Sequence, residues 1–123
     1  MTGGVFRQRA LGAMLGSAVG DALGAPFEFG PAGQYSVRFP APVVGGIGEM
    51  VGGGGFGWAP GEFTDDTQMA IVQAESLLNR GGLDGADLFD RVQTWAAAAR
   101  DVGVSTRAAL TSDLPWEEAA STL

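Results

Sequence analysis

The sequence predicts a helical domain interrupted by one long glycine-rich loop. Apolar residues recur at three- and four-residue spacing in three segments, the signature of a helix face that packs inward. Helix-start and helix-stop residues bracket the second of these segments. Between Gly30 and Gly61 the chain is rich in glycine and proline, with room for at most short strands around Tyr35–Phe39.

The first helix is expected over Arg9–Ala22, where Leu11, Met14, Leu15, Ala18, Val19 and Ala22 form the buried face. Gly12, Gly16, Gly20 and Gly24 fall every fourth residue and share one side. Each costs about 1 kcal/mol of helix propensity relative to alanine, a cost most simply offset by close approach of another helix backbone. Pro26 ends this helix. The loop that follows is long enough to be either a binding loop or a disordered one, and Phe56 and Trp58 among its glycines favour an ordered, ligand-facing loop. The second helix is expected over Thr64–Arg80. Thr64 suits the cap, Asp65 and Asp66 suit the positive end of the dipole, Gly81 stops it, and Ala70, Ile71, Ala74, Leu77 and Leu78 form the apolar stripe. A third runs from Asp84 or Gly85 to Arg100 with Leu88, Val92, Trp95, Ala96 and Ala99 inward. Ser105–Leu110 and Pro115–Leu123 read as short helices, and there is no internal repeat.

Composition limits the chemistry sharply. The chain has 123 residues, enough for one domain, of which 46% are apolar and 21 are glycine. It has no cysteine, hence no disulfide, thiolate–zinc site or cysteine nucleophile. It has no histidine, which removes the usual general base, the Ser-His-Asp triad and histidine-ligated metals. Catalysis would have to run on carboxylates, hydroxyls, backbone and oxygen-ligated metal. Net charge is −7, and no basic stripe exists to neutralise phosphates, which argues against nucleic-acid binding. A phosphate-bearing ligand remains compatible if backbone N–H groups or divalent cations supply the positive field.

Arg7 and Arg9 ahead of the apolar run Ala10–Val19, with small residues at Ala22, Gly24 and Ala25, imitate a signal peptide. Interrupting glycines and Asp21 argue for a retained helix. Asp21 argues equally against a membrane span, since it would cost about 2.5–3.5 kcal/mol at the bilayer centre. The expectation is a cytoplasmic protein without a membrane partner.

Two places can carry chemistry. Thr64-Asp65-Asp66-Thr67 places four oxygen-bearing side chains in a row, a plausible site for a hard cation such as Mg²⁺, Ca²⁺ or Mn²⁺. The same residues also make an ordinary helix cap with acids in its first turn. Glu28, between Phe27 and Phe29, is either a desolvated carboxylate in need of a cation, a hydrogen bond or a proton, or an exposed loop glutamate. Asp21 and Asp101 are weaker candidates, each able simply to cap or end a helix.

Three segments in order resemble the ADP-ribosylglycohydrolase family: Gly16-Ser17-Ala18-Val19-Gly20-Asp21-Ala22-Leu23-Gly24-Ala25-Pro26-Phe27-Glu28; Pro60-Gly61-Glu62-Phe63-Thr64-Asp65-Asp66-Thr67-Gln68-Met69; and Trp95 followed by Asp101-Val102-Gly103 and Thr106-Arg107. The resemblance implies an all-α orthogonal helical bundle and a binuclear Mg²⁺ or Mn²⁺ centre. Thr64, Asp65 and Asp66 match ligands of the first metal, Glu28 the glutamate associated with the second, and Asp101 an aspartate near the substrate ribose. The glycine-rich loop, with Gly53, Gly54 and Gly55, would line the ADP-ribose pocket. The implied reaction is hydrolysis of the glycosidic bond joining ADP-ribose to a side chain of a modified protein or to a small ADP-ribose adduct. Such cleavage builds oxocarbenium-like charge at the anomeric carbon. Without histidine, Glu28 or Asp66 is the group left to orient or deprotonate water.

By resemblance the 123 residues are the N-terminal part of a single domain about twice this length. The family's second motif, Asp-x-Asp-Thr/Ser, does not occur: after Asp101 the carboxylates are Asp113, Glu117 and Glu118. Cations held by Glu28, Thr64, Asp65 and Asp66 alone would be under-coordinated. The chain is thus expected to need a complementary C-terminal chain, or to be an inactive relative serving as a structural or ligand-binding module. A generic helical packing domain is the third alternative. The isolated chain should bind divalent metal weakly, lack hydrolase activity, and expose an apolar strip on its first and second helices.

Overall fold

The computed structural model describes residues 2–121 and is helical, with no strand among the described residues. Its helices are α1 (Thr2–Gly24), α2 (Gln34–Arg38), α3 (Asp65–Arg80), α4 (Gly85–Ala96), α5 (Val104–Leu110) and α6 (Trp116–Ser121), with a 3₁₀ turn over Ala25–Phe27. This agrees with the all-α class. The chain forms two compact units that divide between Thr67 and Gln68, within the first turn of α3.

In the first unit, α1 begins seven residues earlier than the expected Arg9. Nothing in Val5–Gln8 breaks a helix, and Gly3 and Gly4 weaken it without ending it. The expected buried face is largely open: Leu11, Met14, Leu15 and Val19 are exposed, Leu15 by 64%, and so are Val5 and Phe6, whereas Ala22 is buried. The partner backbone expected along Gly12, Gly16, Gly20 and Gly24 is also missing, since a Cβ at any of them would meet nothing within 4 Å. By length and composition α1 could cross a bilayer. Its last turns are nevertheless fixed to the start of α3 through Asp21.

The segment around Tyr35–Phe39, where the sequence left room for at most short strands, is the helical turn α2. Tyr35 and Phe39 satisfy two periods at once: alternation along a strand, and i,i+4 spacing on a helix. Helical spacing wins because it lets both rings meet Phe27, at centroid distances of 5.2 and 6.2 Å, while Val37 points away and is exposed. Arg38 covers the Phe27 and Phe39 rings. The Tyr35 hydroxyl donates to the Glu49 carboxylate, which also accepts from Val43 N–H, so the following loop is tied to α2.

The glycine-rich loop is ordered, as its aromatics suggested. Gly53 and Trp58 exchange both backbone hydrogen bonds, closing a tight reversal. Trp58 is buried, Phe56 stacks on it at 5.5 Å, and Phe29 meets Phe56 at 6.3 Å. Gly54 lies against the Pro26 backbone: a Cβ there would sit 2.7 Å from the Pro26 carbonyl oxygen. Only glycine permits this approach, and it pins the loop beside the 3₁₀ turn. The chain then reverses through Ala59-Pro60-Gly61-Glu62, with Gly61 at φ 77° as the third residue of a type II turn demands, and enters α3.

In the second unit α3 runs to Arg80 and stops at Gly81, as expected. Its stripe is only partly covered: Ile71 and Leu77 are exposed and Leu78 more so, because the side of the helix that packs is the one carrying Gln68 and Ser76. The Trp95 indole N–H donates to Gln68 (2.7 Å), and buried Ser76 donates to Asp87 (2.7 Å). Asp84 caps α4 by accepting from Asp87 N–H, and α4 ends at Ala96 rather than Arg100, the Ala98 N–H turning back to the Trp95 carbonyl in a tighter turn. Leu88, Val92, Trp95, Ala96 and Ala99 are half-buried. α4, α5 and α6 pack together around Ala109 and Ala119, with the Trp116 ring where a Gly85 side chain would be. The last helix is seen over Trp116–Ser121, starting one residue after the expected Pro115, and the expected end at Leu123 lies outside the described residues.

Candidate functional site

α1 ends in a Gly24-Ala25-Pro26 break that tightens into the 3₁₀ turn and releases Glu28 at its exit. The type II turn at Pro60–Gly61 brings Thr64 and the first turn of α3 alongside. The result is a cleft of about 320 Å³ lined by Asp21, Gly24, Ala25, Phe27, Glu28, Thr64 and Asp66. Three of its lining residues carry carboxylates and none is basic, so its field favours a cation.

Asp21 organises this wall. Its Oδ2 accepts from Thr64 N–H (2.9 Å), Thr67 N–H (3.3 Å) and the Thr67 hydroxyl (2.6 Å), and its Oδ1 accepts from the Thr64 hydroxyl (2.7 Å). Burial pushes the Asp21 carboxyl up, but the hydrogen bonds from Thr67 and Thr64 outweigh it and hold the group below its ordinary value. Two backbone N–H groups and two hydroxyls converge on its oxygens, so the carboxylate is the acceptor in all four bonds and both threonine hydroxyls are donors.

This corrects the expected role of Thr64 as the side chain that caps α3. Thr64 occupies the cap position, but its hydroxyl is turned to Asp21. The acceptor for the free N–H groups of α3 comes from a residue 43 positions upstream. Asp21, weighed as a local helix cap or terminator, does cap a helix, although not its own. The sequence signal was a single acid near the end of an otherwise apolar, glycine-rich helix, which must find donors if it is covered.

Of the expected site residues, Glu28, Thr64 and Asp66 line one cleft. Thr64 is buried, whereas Glu28 and Asp66 are exposed. Asp65, half-buried as the first residue of α3, is not part of that lining. In the loop, the Gly53 N–H and carbonyl both pair with Trp58, the Gly54 carbonyl accepts from Gly57, and Gly55 is exposed with open space around its Cα. Asp101 is half-buried in the second unit, between α4 and α5.

The donor set is hard oxygen throughout. Two carboxylates and a hydroxyl with its lone pairs uncommitted suit a cation that keeps several waters, as Mg²⁺ does. Among the described residues no three acidic side chains group closely enough to hold a metal by themselves. The third carboxylate of the cleft, Asp21, is engaged with α3.

Comparison with known proteins follows the same lines. The sequence model of the ADP-ribosylglycohydrolase family matches residues 3–122. The chain is 42% identical over 108 residues to the ADP-ribosyl-[dinitrogen reductase] glycohydrolase of Rhodospirillum rubrum, covering 87% of this chain and 35% of that protein. It is 37% identical over 110 residues to the ADP-ribosylarginine hydrolase Tri1 of Serratia proteamaculans, covering 83% of this chain and 27% of that protein. A putative ADP-ribosyl glycohydrolase of Acanthamoeba polyphaga mimivirus is 32% identical over 106 residues, which is 85% of this chain and 32% of that protein. The chain thus spans about a third of the length of these relatives. With the family model matching residues 3–122, the chain belongs to the ADP-ribosylglycohydrolase family.

Proposed function

We propose that this chain supplies one wall of a divalent-metal site that hydrolyses the glycosidic bond between ADP-ribose and a modified side chain. The observation that supports this most is the cleft in which Glu28, Thr64 and Asp66 meet with no basic residue in the lining. Glu28, Thr64 and Asp66 would hold Mg²⁺ or Mn²⁺, with Asp65 as a further candidate from the first turn of α3. When bound, such cations orient ribose hydroxyls and lower the pKa of water. In a chain without histidine, Glu28 accepts the proton of the attacking water, and Asp66 orients that water against the anomeric carbon. The Gly53–Gly55 turn faces the pyrophosphate, with Gly55 offering the more open backbone. The linkage to arginine is the first to test, because a relative is named for hydrolysing ADP-ribosylarginine.

Two carboxylates and one hydroxyl leave a binuclear centre short of ligands. We place the remaining ligands on further polypeptide, corresponding to the portion of the relatives that these 123 residues do not cover. A second reading, an inactive relative serving as a structural or ligand-binding module, draws on the lack of a three-acid group among the described residues.

Replacing the matching segment of the R. rubrum relative by this chain separates the two readings. The chimera should release ADP-ribose from ADP-ribosylated arginine in a Mn²⁺-dependent manner, and Asp66→Asn should reduce the rate at least a hundredfold, while the 123 residues alone should release none. A folded chimera that binds ADP-ribose but hydrolyses nothing at any Mn²⁺ concentration would favour the structural module.

A further inference from the structure

We propose that Asp21 is a positioning residue for the cation site: it holds the proton of the Thr64 hydroxyl on its own Oδ1, so that the hydroxyl oxygen keeps its lone pairs for the ion. The inference rests on the metal reading above and deepens it.

A threonine hydroxyl has one proton and two lone pairs and rotates to suit its neighbours. The other polar side chains lining this cleft, Glu28 and Asp66, are acidic as well, and a Thr64 proton not held by Asp21 could turn into the space they line. It would then lie where a cation must sit. Asp21 Oδ1 removes that option, taking the proton at 2.7 Å from a residue that is only 2% exposed. The two oxygens of Asp21 also divide their work. Oδ2 takes three donors, Thr64 N–H, Thr67 N–H and the Thr67 hydroxyl, and so holds the first turn of α3. Oδ1 takes the Thr64 hydroxyl alone among these bonds. Capping and orientation are therefore separable in one side chain.

Asp21→Asn exploits that division. Three donors converge on the Oδ2 side, so the amide oxygen must occupy it and the NH₂ must face Thr64. The hydroxyl is then forced to accept, and its proton turns into the cleft. The cap survives; the orientation does not. Loss of such an outer-shell partner typically weakens metal binding by 10- to 100-fold.

The test is a Mn²⁺ titration of the full 123-residue chain, read by paramagnetic broadening of the Glu28 and Asp66 amide resonances, which follows weak binding and requires no activity. Wild type should broaden saturably. Asp21→Asn should raise the midpoint at least tenfold with the Thr64–Gln68 helical shifts retained. Thr64→Val should do the same, and the double variant should be no weaker than Thr64→Val alone, because Asp21 acts through that hydroxyl. Thr67→Val, which removes a capping bond outside the cleft, should lower thermal stability while leaving the midpoint within twofold. An Asp21→Asn midpoint within twofold of wild type would overturn the proposal and leave the metal reading intact. Absence of saturable broadening in wild type would overturn both. Should Asp21→Asn fail to fold, the wild-type chain decides alone: a slowly exchanging Thr64 hydroxyl proton supports the inference, and one exchanging as fast as that of exposed Thr111 overturns it.

Discussion

At the scale of single residues, the site depends on contacts that tolerate almost no added volume. Gly54 combines φ 73° with a Pro26 backbone that leaves no room for a side chain. Gly55, its neighbour, has a non-positive φ and open space. Gly54→Ala should therefore destabilise by about 2–4 kcal/mol, from left-handed strain together with the clash, whereas Gly55→Ala should fall within about 0.5 kcal/mol of wild type. Chemical denaturation of the two variants checks this, and equal stabilities would mean that the loop is not pinned to Pro26. Legibility at this scale was uneven. Thr64, Asp65, Asp66 and Glu28 stood out because oxygen-bearing side chains at a helix start and a carboxylate among aromatics each require a physical explanation. The engagement of Asp21 did not stand out, because its partners lie 43 and 46 residues away and no local spacing encodes them.

Elements were readable where one period fitted and misread where two did. α3 has a cap, acids and a stop residue in agreement, and its expected ends match to within one residue. Around α2 Tyr35, Val37 and Phe39 alternate as in a short strand, yet the same Tyr35 and Phe39 at i,i+4 both reach Phe27 as a helix. The apolar periodicity of α1 identified the helix but not what covers it, since amphipathicity says that a face will be buried and not by whom. The α3–α4 pair turns on Asp87, which the sequence did not mark. Asp87 accepts from Ser76, Arg91 (2.6 Å) and Arg80 (2.9 Å), and these partners, Ser76 foremost, hold its carboxyl well below the usual range. A carboxyl depressed on folding contributes stability that is complete above its unfolded value of 3.8 and is lost as pH falls through the lower folded one. Thermal melts should therefore show a falling Tm below about pH 4, and Asp87→Asn should lower Tm at pH 7 and flatten that acid limb. An unchanged acid limb in Asp87→Asn would assign it to other carboxylates.

For the whole molecule, two features invite the same completion. α1 presents Val5, Phe6, Leu11, Met14, Leu15 and Val19 to solvent beside a row of glycines with nothing against them. The cleft offers an incomplete ligand shell, in a chain about a third as long as its relatives. On the proposed reading, further polypeptide covers the first and completes the second. The absent Asp-x-Asp motif raises the same expectation from the sequence, but how a metal shell would be completed is not encoded in the spacing of Glu28, Thr64 and Asp66.

The claim on which the account rests is that Glu28 and Asp66 act together on one divalent ion. Electron paramagnetic resonance of Mn²⁺ titrated into the 123-residue chain measures it directly, as loss of the free-ion signal. The account predicts weak, saturable, Mg²⁺-competed binding that Glu28→Gln and Asp66→Asn each weaken at least tenfold. Equal Mn²⁺ binding by wild type and both variants would contradict it.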